Sequence, residues 1–88
     1  MNKYRVFIGP QGARTLHGTY RTKLDAVNAL FTWLNMRHFN MPEDRENTAR
    51  ATNILIADKE RILKERFRPM PSGLHGPLYT FPLGSIAN

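Results

Sequence analysis

Apolar and polar positions alternate at the start of the chain. Lys3-Tyr4-Arg5-Val6-Phe7-Ile8 puts Tyr4, Val6 and Ile8 on one side and Lys3, Arg5 and Phe7 on the other. It is rich in β-formers, so the pattern predicts a strand. Gly9-Pro10-Gln11-Gly12 follows, with turn residues at three of its four positions. Ala13 to Tyr20 reads as a second strand, which makes a hairpin over 3–20 with a loop of about four or five residues. Leu16 and Tyr20 join the core side on this reading, and Thr15, His17, Thr19 and Arg21 join the outer side. Gly18 leaves a gap in the strand and marks a bulge or a close backbone approach.

The period then changes from two to that of a helix. Thr22-Lys23-Leu24-Asp25 is a start signal: the Thr22 hydroxyl caps the Asp25 amide, and the carboxylate suits the positive helix end. The spacing predicts a helix over 22–38, with Leu24, Val27, Leu30, Phe31 and Leu34 as its core face. Ala26, Ala29, Trp33 and Met36 widen the apolar arc. Pro42 suits the first position of a second helix, predicted over 42–67. Leu55, Ile56, Ile62, Leu63 and Phe67, with Ala49 and Ala51, form its buried side. Acids at its start and bases at its end complement the helix dipole. Asn47, Thr48, Thr52 and Asn53 are weak helix formers, and a break near Thr48 or Asn53 is compatible with them.

Residues 69–88 form a Pro/Gly-rich apolar tail with four Pro and three Gly. A solvating tail would be polar and charged. This one is expected to pack across the body, with Leu78 to Phe81 as a short edge strand, because Pro82 is tolerated only at an edge. The other reading is a tail that orders on a partner. The fold class expected is α+β: an N-terminal β-hairpin followed by two helices, with a short C-terminal edge strand, all in one small domain over 1–88.

Composition narrows the chemistry. The 88 residues contain no Cys, so disulfides, thiolate metal sites and Cys nucleophiles are excluded. Apolar runs are too short to span a bilayer, no membrane partner is expected, and no charged-then-apolar leader is read at the start. A cytoplasmic location is the expectation. His17, His38 and His75 show no metal-ligand spacing. Ser72 and Ser85 are the two serines, and neither has a nucleophile-elbow setting. Most acids lie among partner bases on the long second helix, unlike a carboxylate pair in a cleft. Gly9-Pro10-Gln11-Gly12 lacks the trailing Gly-Lys-Ser/Thr of a phosphate loop and leads into a strand. No enzyme, metal or cofactor is expected.

Charge changes the picture most. The net charge is +6, with 13 bases against 7 acids. Residues 1–24 hold Lys3, Arg5, Arg14, Arg21 and Lys23 and no acid, whereas residues 39–68 are nearly balanced. Positive potential at one end favours an anionic partner. The outer hairpin face adds Phe7 for stacking and hydroxyls for hydrogen bonding, the kind of surface a β-sheet reader lays on nucleic acid. The plainer alternative is a solvated hairpin face with one exposed Phe.

Gly18-Thr19-Tyr20-Arg21-Thr22-Lys23-Leu24-Asp25-Ala26-Val27-Asn28-Ala29 resembles the strand-to-helix junction of AP2-type and integrase-arm-type DNA-binding domains. There a Gly-Thr-aromatic strand end precedes a Thr-capped, Ala-rich helix, and the sheet face contacts DNA. The resemblance implies a contacting role for Arg5, Phe7, Arg14, His17 and Arg21, and Lys3 and Lys23 complete the candidate nucleic-acid set by charge. Two other partners fit the residues. A phage- or mobile-element-type inhibitor or adaptor would meet an acidic or apolar protein surface through Trp33, Met36, Tyr79 and Phe81, since Trp and Met are common interface anchors. A homodimer through the second helix would cover the apolar residues that one hairpin leaves bare.

Overall fold

The computed structural model describes residues 3–65 and 77–88. Two strands, β1 (Tyr4–Ile8) and β2 (Thr15–Tyr20), form the hairpin, and α1 (Lys23–Asn40) follows. A 3-10 turn at Pro42–Asp44 leads into α2 (Arg45–Lys64), and the chain ends in β3 (Pro77–Phe81) and β4 (Gly84–Ala87). The class is α+β, as the pattern predicts. All four strands pair antiparallel in the order β2-β1-β4-β3.

The C-terminal segment is therefore more than an edge strand. β3 is an edge, but β4 lies between β1 and β3 at the centre of the sheet. Gly84 makes this placement feasible. A Cβ there would stand 2.8 Å from the Phe7 carbonyl oxygen and 3.0 Å from Leu30 Cδ2 and Phe81 Cε1. Only a residue without a side chain lets β4, α1 and β3 approach so closely.

Both helices lie against one face of the sheet. Val6, Tyr79, Phe81 and Ile86 from the strands meet Val27, Leu30 and Leu34 of α1 and Leu55 and Ile62 of α2 in one core. The Thr22 cap is present, its Oγ1 accepting from the Asp25 amide at 3.0 Å. α2 runs without a break at Thr48 or Asn53. Thr48 and Thr52 donate their hydroxyls to the carbonyls of Asp44 and Thr48 at 2.8 Å, so these weak formers are satisfied inside the helix.

Several expectations are corrected. Leu55 and Ile62 are buried within this chain, because β3 and β4 widen the sheet beyond the hairpin. Part of the apolar excess that motivates a dimer through the second helix is thus covered, with Leu63 half-buried and Ile56 exposed. Leu24 and Ala49 are exposed too, because the helix faces that meet the sheet centre on Leu30 and Leu55. Tyr79 and Phe81 are core residues, not interface residues: strand alternation turns both inward, with their rings stacked at 5.9 Å. The hairpin loop is six residues, 9–14. Phe67, His75 and the tail before Pro77 lie outside the described residues, and no described helix is long and apolar enough to cross a membrane.

Candidate nucleic-acid interface

Among the described residues, no element covers the second face of the sheet. Cross-strand register defines what it presents. One row runs Leu16, Phe7, Ser85, Thr80 across the four strands, and the next contains Thr19, Arg5 and Ala87. Arg5, Phe7, Thr80, Ser85 and Ala87 surround one hollow of about 440 Å³, which Gln11 and Arg14 close from the loop.

The loop holds its position by backbone and side-chain bonds. Gly9 has a φ of 112° and donates its amide to the Leu83 carbonyl at 2.9 Å. A Cβ at Gly9 would meet the Ala13 carbonyl oxygen at 2.6 Å, so this turn requires glycine. The Arg14 guanidinium donates to the carbonyls of Gly9 and Phe81 and to Thr80 Oγ1. Partial burial lowers its pKa from the ordinary arginine value. Arg5 donates from Nη2 to the Asn88 main-chain oxygen at 2.7 Å. Both guanidiniums are thus fixed on the rim by main-chain oxygens. Lys3 and Arg21 adjoin the paired Tyr4 and Tyr20 at the far end of the hairpin, and both are exposed.

Of the seven candidates for an anion surface, Arg5, Phe7 and Arg14 meet in the hollow. His17 and Lys23 do not belong to this face. The β1–β2 register shifts between Val6 and Phe7, so Val6 pairs with Gly18, Phe7 pairs with Leu16, and His17 is the extra residue. The bulge reverses the alternation beyond it. Leu16 goes to the open face, 57% exposed, instead of the core, and Thr15 pairs with Ile8, a residue packed against the core. His17 lines the clefts beside α1, one with Asp25 and Thr32, the other with Trp33 and Met36. Lys23 donates to the carbonyls of Leu63, at 2.8 Å, and Glu65, so its ammonium caps the end of α2.

Gln11, Thr80, Ser85 and Ala87 are the lining residues that the sequence reading lacked. Three of them arrive through β3 and β4. The only sequence sign was the apolar character of the tail.

The charge balance follows the layers. Residues 22–65 hold seven bases and seven acids. Arg37 pairs with Asp44 at 2.5 Å and lies over the Trp33 ring at 5.5 Å. Arg50 pairs with Glu46, and Arg61 with Asp58 and Glu65. Asn47 and Arg37 hold the Asp44 carboxyl below its ordinary range by hydrogen bonding, and the bond to Glu65 raises Arg61. Burial raises the Tyr79 hydroxyl, as does its bond to Asp58 at 2.7 Å. Residues 3–21 hold four bases and no acid. No group of His, Asp or Glu among the described residues is placed to hold a metal ion.

Trp33 and Met36 occupy a different site. With His17, Arg37, Asn40 and Met41 they line a groove of about 310 Å³ at the C-terminal end of α1, whose last turn also carries Phe39, 81% exposed. Comparison with known proteins finds no matching family model, no matching curated protein and no matching solved structure.

Proposed function

We propose that this chain is a non-catalytic binding protein and that nucleic acid is the ligand of its open sheet face. The charge asymmetry carries this reading. The helical layer is neutral in sum, so the positive excess among the described residues belongs to the hairpin. There Arg5 and Arg14 stand beside Phe7 with no acid on the hairpin strands. Cations position phosphates and an aromatic takes a base, which is how sheet faces bind nucleic acid. The resemblance over residues 18–29 points to the same face.

The test is an anisotropy titration with labelled single-stranded and duplex oligonucleotides at about 50 and 200 mM salt. Binding that weakens steeply with salt is expected, and Lys3, Arg5 and Arg21 changed together to Ala should abolish it. Affinity unchanged by that substitution overturns the proposal.

A second reading rests on the exposed Met36 beside Trp33 and on the exposed Phe39 in the last turn of α1. Such a patch suits an apolar protein partner. It predicts a partner interaction lost on Trp33→Ala and kept by the triple Ala variant. C-terminal truncation is no test of it, because β4 is a central strand.

A further inference from the structure

Resting on the nucleic-acid reading, we propose that the hollow on the open sheet face seats one unpaired base, so that the protein selects single strands over duplex. The hollow has a cause in the sequence. The open-face positions of β4 carry the small residues Ser85 and Ala87, whereas their β1 partners are Phe7 and Arg5. Ser85 and Ala87 are each 5% exposed and form a floor, and the β1 side chains form a wall. Thr80 stands on the other side of Ser85, and the 9–14 loop brings Gln11 and Arg14 over one end. The volume of about 440 Å³ falls within the range of small-ligand sites, about 300–1,000 Å³.

The lining matches the parts of a nucleobase. A base needs a surface for its ring face and both donors and acceptors for its edge. Phe7 offers the ring, and Gln11 and Ser85 offer neutral groups that donate and accept, while the Thr80 hydroxyl is shared with Arg14 and the Gly84 carbonyl. A bare phosphate would make no use of Phe7 or of the floor. Arg5 and Arg14 are anchored by the main-chain oxygens described above, so little side-chain entropy is lost when a ligand arrives. Lys3 and Arg21 lie toward one end of the hairpin and Arg14 at the other, which gives flanking phosphates cations on both sides. A base inside a duplex keeps both faces stacked and cannot enter such a hollow, whereas a single strand can turn one base out.

The experiment uses the full chain and four fluorescein-labelled probes of one length: single-stranded DNA, single-stranded RNA, duplex DNA and an abasic strand of the same charge. The better single strand should bind at least about tenfold tighter than the abasic strand, the scale of one stacked base. Ser85→Leu fills the floor without changing charge. It should remove that advantage and leave abasic affinity within about twofold. Phe7→Leu keeps an apolar side chain, removes the ring, and should lower single-strand affinity by at least about threefold. Thermal unfolding checks each variant, and Ala87→Leu replaces Ser85→Leu if the latter does not fold. Equal affinity for normal and abasic strands, tighter binding of duplex, or variants without effect would overturn the base seat while leaving a polyanion-binding face. Failure to bind any of the four probes overturns the nucleic-acid reading as well. The DNA and RNA arms decide which sugar the site prefers.

Discussion

The two faces of the sheet are made from the same strands and differ in almost every physical respect. On the covered face Val6, Ile86, Tyr79 and Phe81 are sealed against α1 and α2. On the other face their immediate neighbours in sequence, Arg5, Phe7, Ser85, Ala87 and Thr80, surround an open hollow of mixed lining. Strand alternation alone generates the contrast, since successive side chains point to opposite sides. The helical layer repeats the lesson in charge: its bases are matched in number by acids, while the hairpin bases have none on their strands. One face holds the molecule together, and the other keeps cations, an aromatic ring and hydroxyls available.

The contrast can be tested by stability, beginning with the largest effect. Ile86→Ala empties a fully buried site on a central strand and should cost about 2–5 kcal/mol in urea unfolding. Leu16→Ser on the open face should stay within about 0.5 kcal/mol in the same assay. Equal losses at both positions would mean that the second face is also packed. Gly84→Ala places a methyl group 2.8 Å from the Phe7 carbonyl oxygen and should cost about 1–3 kcal/mol, read from the same denaturation curves.

These experiments also bear on what was legible in the sequence. The hairpin and the start of α1 were readable because alternation and the Thr22 cap are local signals. β4 was not. Gly84-Ser85-Ile86-Ala87 has one β-branched residue, and Gly and Ala are poor strand formers. Its pairing comes from β1, about eighty positions away, and from the close approach at Gly84. Gly18 did flag the bulge, but not that His17 would be the extra residue. A slip of one residue moves side chains to the other face. For that reason plain alternation places Thr15, Leu16 and His17 on the wrong sides, while Arg5 and Phe7 on the regular strand keep the side it predicts. Charge alone makes Lys23 one more cation of the anion surface, whereas its ammonium bonds the carbonyls at the end of α2.

Two smaller effects sharpen the difference between anchored and available charge. Lys23→Met removes the ammonium that caps α2 and should cost about 0.5–1.5 kcal/mol, with no change in the salt dependence of oligonucleotide binding. A parallel loss in the salt slope would return Lys23 to the anion surface. Asp44 gives a pH signature. Its bonds to Asn47 and Arg37 keep its folded pKa below the unfolded value. Its stabilising contribution is therefore complete above the unfolded carboxyl pKa and is lost as pH falls through the folded value, below about pH 4. Asp44→Asn should flatten the stability profile in that acid window and leave the open face unaffected, as acid titration of the unfolding midpoint would show.

The most direct measurement is a backbone amide NMR titration with a short single-stranded oligonucleotide. The amides of Arg5, Phe7, Arg14, Thr80 and Ser85 should shift together, while those of α2 remain in place. Shifts centred on Trp33, Met36 and Phe39, with the sheet amides unmoved, would contradict the assignment of the open face.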